Sequence, residues 1–573
     1  MKHTLPILLL FICMPVFANE PTRITGPLTA DGYIDYLKAL EERFSPPELA
    51  TDDNGFRVFV RLFGDVGSRE IREKDREFYR LQKYEKLGLD PDVPPPMVFP
   101  KTTQQFLEDF YKAKGEEMPP INWACQWTLA NYPVLADWVK EIDEPMDAIA
   151  EALRKPVFFF PLLQSPEAMQ SRVPQLLVAA VLPQLFQKQR LFLSVQQNFV
   201  ARAGYRIGQG DIDGAIDDKI SIMRLGRLFS QRSHVIQYLI GVAIEDTGRS
   251  IPVGANPEHP LTEQQIRRIL AGLDALPPRP PFSDVYEWER YSVLSAVQWL
   301  GKGIEVGVEQ PGAGLLDRLS VLFRALRIVR HNWDWDIAYN RVNETFDALH
   351  EPPPRENLKA ILEVAKAVAE QHDWRFTVRF RLSPEMTIAN MIIGLMVPML
   401  EGLEERVQRF ECAANMHRLA LAILLYRVEN GTMPGENWAT QIKKYLGENP
   451  EQYFSCPSNP SPKGMTTYAL VQYGLPLGTP MGLGMMPPPG MPMGPGMMPP
   501  PPLLTNPLYV LMLVELMEPV PLDEAVISGG EVLARERTGS LHPDGMNVVQ
   551  RMGIVSFLLA ETDETELRSL LGR

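Results

Sequence analysis

Apolar residues recurring at spacings of three and four, cut at intervals by prolines, constrain this chain more than any other feature. The pattern runs from about Leu28 to Phe380 and breaks at Pro94-Pro95-Pro96, Pro277-Pro278 and Pro352-Pro353-Pro354. Between Arg355 and Trp374, residues Leu358, Ile361, Leu362, Ala365, Val368 and Ala369 form one stripe. Lys359, Glu363, Lys366 and Glu370 form the opposite stripe, with opposite charges four apart, as a solvated helix face favours. Proline fixes φ and lacks an N–H, so helices start after these clusters and do not run through them. No long alternating run competes, so strands are scarce here. The expectation is a mainly α fold, with residues 19–380 as a large helical domain.

The 573 residues predict two to four domains, and a hydrophobic fraction of 45% allows a sizeable core. There are 57 basic residues against 71 acidic ones, a formal charge of −14, and no Lys or Arg run exceeds two. Gripping a phosphate backbone needs clustered cations, so nucleic acid is excluded as an expected partner. The same deficit argues against an anionic membrane surface.

Lys2 and His3 precede an apolar run from Leu5 to Phe17, and Val16-Phe17-Ala18 has signal-peptidase spacing. That run is far shorter than the roughly 20 residues of a membrane span, so residues 1–18 read as a cleaved signal peptide. Lipid anchoring at Cys13 is the rival, but Phe11 and Ile12 are bulky where small residues are needed. Export to the periplasm or the cell surface follows. Cys125, Cys412 and Cys456 then remain, and an oxidising compartment permits one disulfide. Cys412 and Cys456 share the carboxyl-terminal stretch and are the candidate pair, with separate thiols as the alternative. No Cys-x-x-Cys spacing points to zinc.

Between Phe192 and Leu239 two helices flank the turn from Gly208 to Gly214, with Ala203, Tyr205 and Ala215 placed as in a tetratricopeptide hairpin. No period of about 34 residues follows, so a solenoid is not expected. Read as a calcium loop, the turn has Gln209 for the first Asp and Ile220 for the final Glu, which removes the bidentate carboxylate. A tight interhelical turn with an Asp helix start is the better reading. Two apolar stretches, Val173–Phe186 and Ile388–Leu400, are interrupted by Pro174, Pro183, Asn390 and Pro398. Both are too short for a bilayer, so the mature chain is expected to have no transmembrane span.

From Met391 the chain runs through Glu411-Cys412-Ala413-Ala414-Asn415-Met416 to Leu425-Tyr426-Arg427-Val428-Glu429-Asn430-Gly431-Thr432-Met433-Pro434. Phe454-Ser455-Cys456-Pro457-Ser458 and His542-Pro543-Asp544-Gly545-Met546-Asn547-Val548 follow. These blocks resemble type IV pilin-like proteins, in particular the planctomycete set, and are similar to the pseudopilins of type II secretion. The resemblance implies a pilin-like α+β module over 381–573, one long helix beside an antiparallel sheet. Met552 stands where the family has Asp, and Ala414 where it has Asn. The apolar anchor is internal and broken by Glu401, which implies a pilin-like body without a polymerising end.

Upstream, Leu276-Pro277-Pro278-Arg279-Pro280-Pro281, the Tyr286–Leu300 stretch, Asp334-Trp335-Asp336 and Asn340-Arg341-Val342-Asn343 resemble a family of large secreted planctomycete proteins. That likeness implies an exported helical protein and no particular reaction.

The residues themselves read the same way. Gln408, Glu411, Asn415 and Arg418 make a polar stripe on a helix over Val407–Arg427, and Asn430-Gly431 suits its left-handed exit. Residues 452–454, 466–471, 508–516 and 546–557 read as strands. Between them, Gly474 to Pro507 carries no charge and is dominated by Pro, Gly and Met, an extended low-complexity insertion. Its methionines, Met485, Met486, Met491, Met493, Met497 and Met498 among them, are soft thioethers that suit Cu(I). A drifted linker is the blander reading.

No nucleophile elbow, His-Glu-x-x-His or phosphate-binding glycine loop is present. His331 with Asp334 and Asp336 is the nearest thing to a metal cluster and reads better as a helix start. His372 reads as a helix end, His417 as partly exposed and His542 as a turn residue. No catalytic residue and no cofactor is expected. The expected function is that of an exported, non-enzymatic envelope protein contacting another envelope protein. The alternatives are an exported hydrolase built from unlinked acids and a Met-rich Cu(I) binder.

Overall fold

The computed structural model describes residues 24–29, 32–66, 73–118, 133–164, 166, 177–254, 259–301, 334–350, 384–396, 398–435, 437–457, 465–472, 511–521, 526–528, 545–549 and 555–559. The described chain is mainly helical. It divides into two compact units, each gathered from separate stretches. One comprises residues 1–45, 162–184 and 286–398; the other comprises 46–161, 185–285 and 399–573. Residues 1–18, read above as a signal peptide, the Arg355–Trp374 stripe, residues 474–507 and Cys125 lie outside the described residues.

In chain order the helices are α1 Tyr36–Phe44, α2 Gly55–Phe63, α3 Glu73–Lys86, α4 Thr103–Lys114, α5 Leu135–Leu153, α6 Leu177–Gly208 and α7 Ile212–Phe229. They continue with α8 Val235–Ser250, α9 Glu263–Asp274, α10 Phe282–Gly301, α11 Trp335–His350, α12 Pro384–Met396, α13 Pro398–Asn430 and α14 Trp438–Ile442. Their starts follow from local chemistry. Thr102 with Gln105, and Thr262 with Gln265, form reciprocal capping boxes that satisfy the first N–H groups of α4 and α9. Asp211 Oδ1 accepts from Gly214 N at 3.0 Å and starts α7, so the acidic turn serves as a helix cap.

In the first unit, α1 packs against α10 through Tyr36 and Tyr291, edge to face at 6.5 Å. Gln298 Nε2 donates to Ile34 O at 2.8 Å and its Oε1 accepts from Ile34 N at 3.1 Å, so one buried amide completes both hydrogen bonds of an extended residue. Gln184 does the same for Leu163. Arg290, on α10, reaches Asp347 on α11 at 2.7 Å. Ile388, Ala389, Ile392 and Ile393 of α12 are buried. No helix among the described residues is long and apolar enough to cross a membrane.

The second unit is centred on phenylalanines. Phe56 and Phe160 are 4.3 Å apart, Phe160 and Phe192 5.2 Å, and Phe192 and Phe229 5.5 Å, the latter two within the range of favourable ring pairs. Leu421 and Leu425 of α13 join this cluster. On its other side α13 contributes Cys412, Met416, Leu419 and Ile423 to a second cluster with Trp438, Phe454, Cys456 and Tyr468. Along the backbone, β1 Met465–Gln472 pairs antiparallel with β2 Leu511–Pro521 and parallel with β3 Val526–Ser528. β4 Gly545–Val549 pairs with β2 and with β5 Val555–Leu559.

Two expectations are corrected. Residues 452–454 are not a strand: Pro450–Phe454 is a turn of 3-10 helix, because Pro450 at its start presets a helical φ. His417 is buried, not partly exposed. α13 lies between two hydrophobic clusters, which leave the expected polar stripe of Gln408, Glu411, Asn415 and Arg418 partly exposed and cover His417 beside it.

Candidate functional site

A set of buried charges in the second unit gathers where α7 and α8 cross. Gly226 and Gly241 permit that crossing. A Cβ on Gly226 would sit 2.4 Å from Gly241 O, and one on Gly241 would sit 2.6 Å from Gly226 O, so the two backbones touch. Continuing along the same face of α8, one turn beyond Gly241, comes Glu245, which is 1% exposed.

A buried carboxylate needs partners, and three arginines supply them. Arg227 Nε donates to Glu245 Oε2 at 2.6 Å and Arg279 Nη2 donates to the same oxygen at 2.9 Å. Arg249 Nη2 lies 4.0 Å from Oε1 while its Nη1 donates to Asp246 at 2.7 Å. Arg279 then faces a second acid, with Nε 3.5 Å from Glu411 Oε1 on α13. The loop that delivers Arg279 is held by its own carbonyls: Arg224 donates to Ala275 O at 2.8 Å and Tyr238 Oη to Pro280 O at 3.4 Å. Arg418 of α13 is paired with Asp274 just before this loop. Around Glu245, the guanidiniums of Arg227, Arg249 and Arg279 therefore meet the carboxylates of Glu245, Asp246 and Glu411.

The two glutamates are driven in opposite directions. Burial alone would raise the Glu245 carboxyl, but the guanidiniums of Arg279, Arg227 and Arg249 hold it below the ordinary range. Burial pushes the Glu411 carboxyl up, against the pull of Arg279 and Arg227 and with the Glu245 charge adding to the rise. Tyr238 is pushed up to about 12 by burial and stays a neutral donor. A carboxyl raised beside one held ionised is the arrangement of acid and base catalysis. Here the ionised member is sealed between Arg227 and Arg279, and only Glu411, with its side chain 39% exposed, meets solvent.

No family model, curated protein or solved structure matches the chain.

A second network ties α5, α6 and α7. Arg202 Nη2 donates to Asp218 at 2.6 Å and Nη1 to Asp147 at 2.9 Å, with Arg206 Nη1 3.1 Å from Asp218. Asp213 and Asp217, which the calcium reading would have needed, face Arg268 at 3.1 and 2.7 Å. Among the described residues, no group of three His, Cys, Asp or Glu is placed to hold a metal.

The remaining sequence candidates are placed as follows. Cys412 and Cys456 are both buried in the cluster beside α13 and both are free cysteines in this structure, with Tyr468 Oη 3.3 Å from Cys412 Sγ. Asp334 Oδ1 accepts from Asp336 N at 3.1 Å just before α11, which makes it a helix-start residue. His331, His372, His542 and the six methionines Met485, Met486, Met491, Met493, Met497 and Met498 lie outside the described residues. The Glu245–Arg279–Glu411 set was not singled out from sequence. Its one local signal is glycine at 241 and 248 of a helix that also carries Glu245 and Arg249, a charged pair on a face that must approach another backbone.

Proposed function

We propose that the protein is an exported envelope protein that acts through protein contacts, a helical body carrying a pilin-like α+β module in residues 381–573. The observation that carries the contact reading is an apolar strap before α4. Val93 is 60% exposed and Val98 85% exposed, on either side of the exposed Pro94-Pro95-Pro96. The strap is tied at both ends, by Arg80 Nη1 donating to Pro91 O at 2.8 Å and Met97 N donating to Leu62 O at 3.1 Å. A proline run held in this way has little conformational entropy to lose on docking. The pilin-like reading draws on the 33-residue helix α13, on the cluster it shares with Phe454, Cys456 and Tyr468, and on the sequence blocks described above. The matched charges around Glu245 fit a packing clasp.

The test is fractionation and cross-linking of the full chain expressed with a carboxyl-terminal tag. The expected product lacks residues 1–18, sits in the envelope fraction and cross-links to a discrete partner, and Val93→Ser with Val98→Ser abolishes that cross-link. Unprocessed chain in the cytoplasm, or a cross-link pattern indifferent to the double substitution, overturns the reading.

One observation favours a second reading, an exported hydrolase. Glu411 combines a raised carboxyl with access to water, as a general acid requires. Turnover of a glycoside or ester panel that is lost in Glu411→Gln would establish it.

A further inference from the structure

Lys188 occupies a position on α6 where the helix otherwise carries apolar residues. Leu191, Phe192, Val195 and Phe199 follow on the same face at spacings of three and four, and all four are buried. Lys188 opens this stripe and is itself only partly exposed. Its Nζ stands 4.7 Å from the centroid of the Phe160 ring. Phe160 and Phe158 pack in turn on Phe192, at 5.2 and 5.6 Å, so the amine is set against a wall of rings. The titratable groups within electrostatic range of it are Lys83 of α3 and His234 before α8, and Asp65 is engaged by Lys83. No carboxylate among the described residues lies within ion-pair distance of Lys188. An ammonium here gives up water and gains only the face of Phe160 in return.

We propose that Lys188 is a carbonyl-capturing nucleophile, whose amine forms a Schiff base with an aldehyde or ketone carrying an aromatic body that lies against the Phe160 ring. A lysine becomes nucleophilic when apolar surroundings and a neighbouring cation disfavour its charged form, and Lys188 has both. Burial, with the Lys83 charge adding to it, lowers the amine to about 7, in keeping with that placement. The neutral nitrogen adds its lone pair to the carbonyl carbon, and the C=O π electrons move to oxygen, which is protonated. The resulting carbinolamine then loses water, so the two amine hydrogens leave with the carbonyl oxygen and a C=N bond remains. The step needs no oxidant or reductant, and hydrolysis reverses it. The assignment is independent of the contact reading above, since neither Val93 nor Val98 takes part in it.

The test traps the imine in the folded full chain. Protein at pH 7 is mixed with limiting benzaldehyde and cyanoborohydride, which delivers hydride to the imine carbon, and the benzylated lysines are mapped by peptide mass. Lys188 should be labelled at least about tenfold faster than Lys140, whose side chain is 78% exposed. The margin follows from the neutral fraction at pH 7, about a half for an amine titrating near 7 and under about a thousandth for one near 10.4, less the weaker nucleophilicity of the weaker base. The Lys188 to Lys140 ratio should fall as pH is raised from 7 to 10, a change that a lysine kept only for its contact with Phe160 would not show. Acetaldehyde, which has no ring, should give a smaller ratio than benzaldehyde. Lys188→Arg, which keeps a cation over Phe160, should lose the labelled peptide and leave Lys140 labelling unchanged. Labelling of Lys188 no faster than Lys140, or a ratio that stays flat with pH, overturns the proposal. A ratio no larger for benzaldehyde than for acetaldehyde overturns the aromatic seat.

Discussion

Arg279 places one guanidinium between two glutamates, 2.9 Å from the buried Glu245 and 3.5 Å from the partly exposed Glu411. It is the only residue that touches both, among the ion pairs described. Replacing it with Met strands Glu245 with less positive charge in a site closed to water. Breaking a buried pair in this way costs about 3–5 kcal/mol. Urea unfolding of Arg279→Met should show that loss at pH 7, with Arg279→Lys intermediate because it keeps the charge and loses the fork. A loss under about 1 kcal/mol would mean the cluster does not clasp α13.

The α7–α8 crossing depends on two missing side chains. Gly226→Ala puts a methyl group against Gly241 O and Glu245 N, and Gly241→Ala puts one against Ser230 and Gly226 O. Backbone atoms cannot rotate away, so the helices must separate. Each substitution should destabilise by about 1–3 kcal/mol, the usual range for overpacking. Gly435→Ala, where nothing lies within 4 Å, is the control and should unfold like the parent. Chemical denaturation of the three variants side by side decides it.

The mainly helical character was legible because spacing and capping are local. Asp211 before Ile212 announces a helix start from the sequence, and its carboxylate does cap Gly214 N. Pro450 misled in the opposite sense: Gln452-Tyr453-Phe454 has strand-forming residues, yet the preceding proline closes them into a 3-10 turn. His417 was misjudged because the clusters on two sides of α13 cover it, while the stripe of Gln408, Glu411, Asn415 and Arg418 stays partly exposed as expected. The Glu245–Arg279–Glu411 set draws on α8, a proline loop and α13, far apart in the chain. Beyond the glycines at 241 and 248 on the helix of Glu245, nothing local distinguishes those acids from solvated ones. The same limit applies to the two units, which interleave stretches of sequence.

Asn54 carries more of the second unit than its size indicates. Its Oδ1 accepts from Phe56 N at 3.1 Å, capping α2, and from Phe159 N at 2.9 Å. Its Nδ2 donates to Leu49 O at 3.0 Å and to Phe159 O at 3.1 Å. The side chain is fully buried, so no water replaces these bonds. Asn54→Ala should cost at least about 3 kcal/mol, since several buried backbone groups lose partners together. Asn54→Asp should be worse at pH 7, because it turns two donors into a charged oxygen facing two carbonyls. Equal stability of the Asp variant and the parent would show that these bonds do not persist in solution.

His234 gives the fold a dependence on acid. Its Nδ1 accepts from Ile236 N at 3.2 Å and starts α8, which requires a ring unprotonated at that nitrogen. Burial, with the Lys188 charge adding to it, lowers its pKa to about 3, against roughly 6.5 in an unfolded chain. Below 6.5 the unfolded state takes up a proton that the folded state refuses. The contribution is therefore complete above pH 6.5 and is lost progressively as pH falls toward 3. At pH 5 the loss from this one residue is about 2 kcal/mol. His234→Asn keeps a capping oxygen for Ile236 N and removes the titration. Urea midpoints measured at pH 7 and pH 5 should fall further for the parent than for His234→Asn. Parallel falls would place the acid sensitivity elsewhere in the molecule.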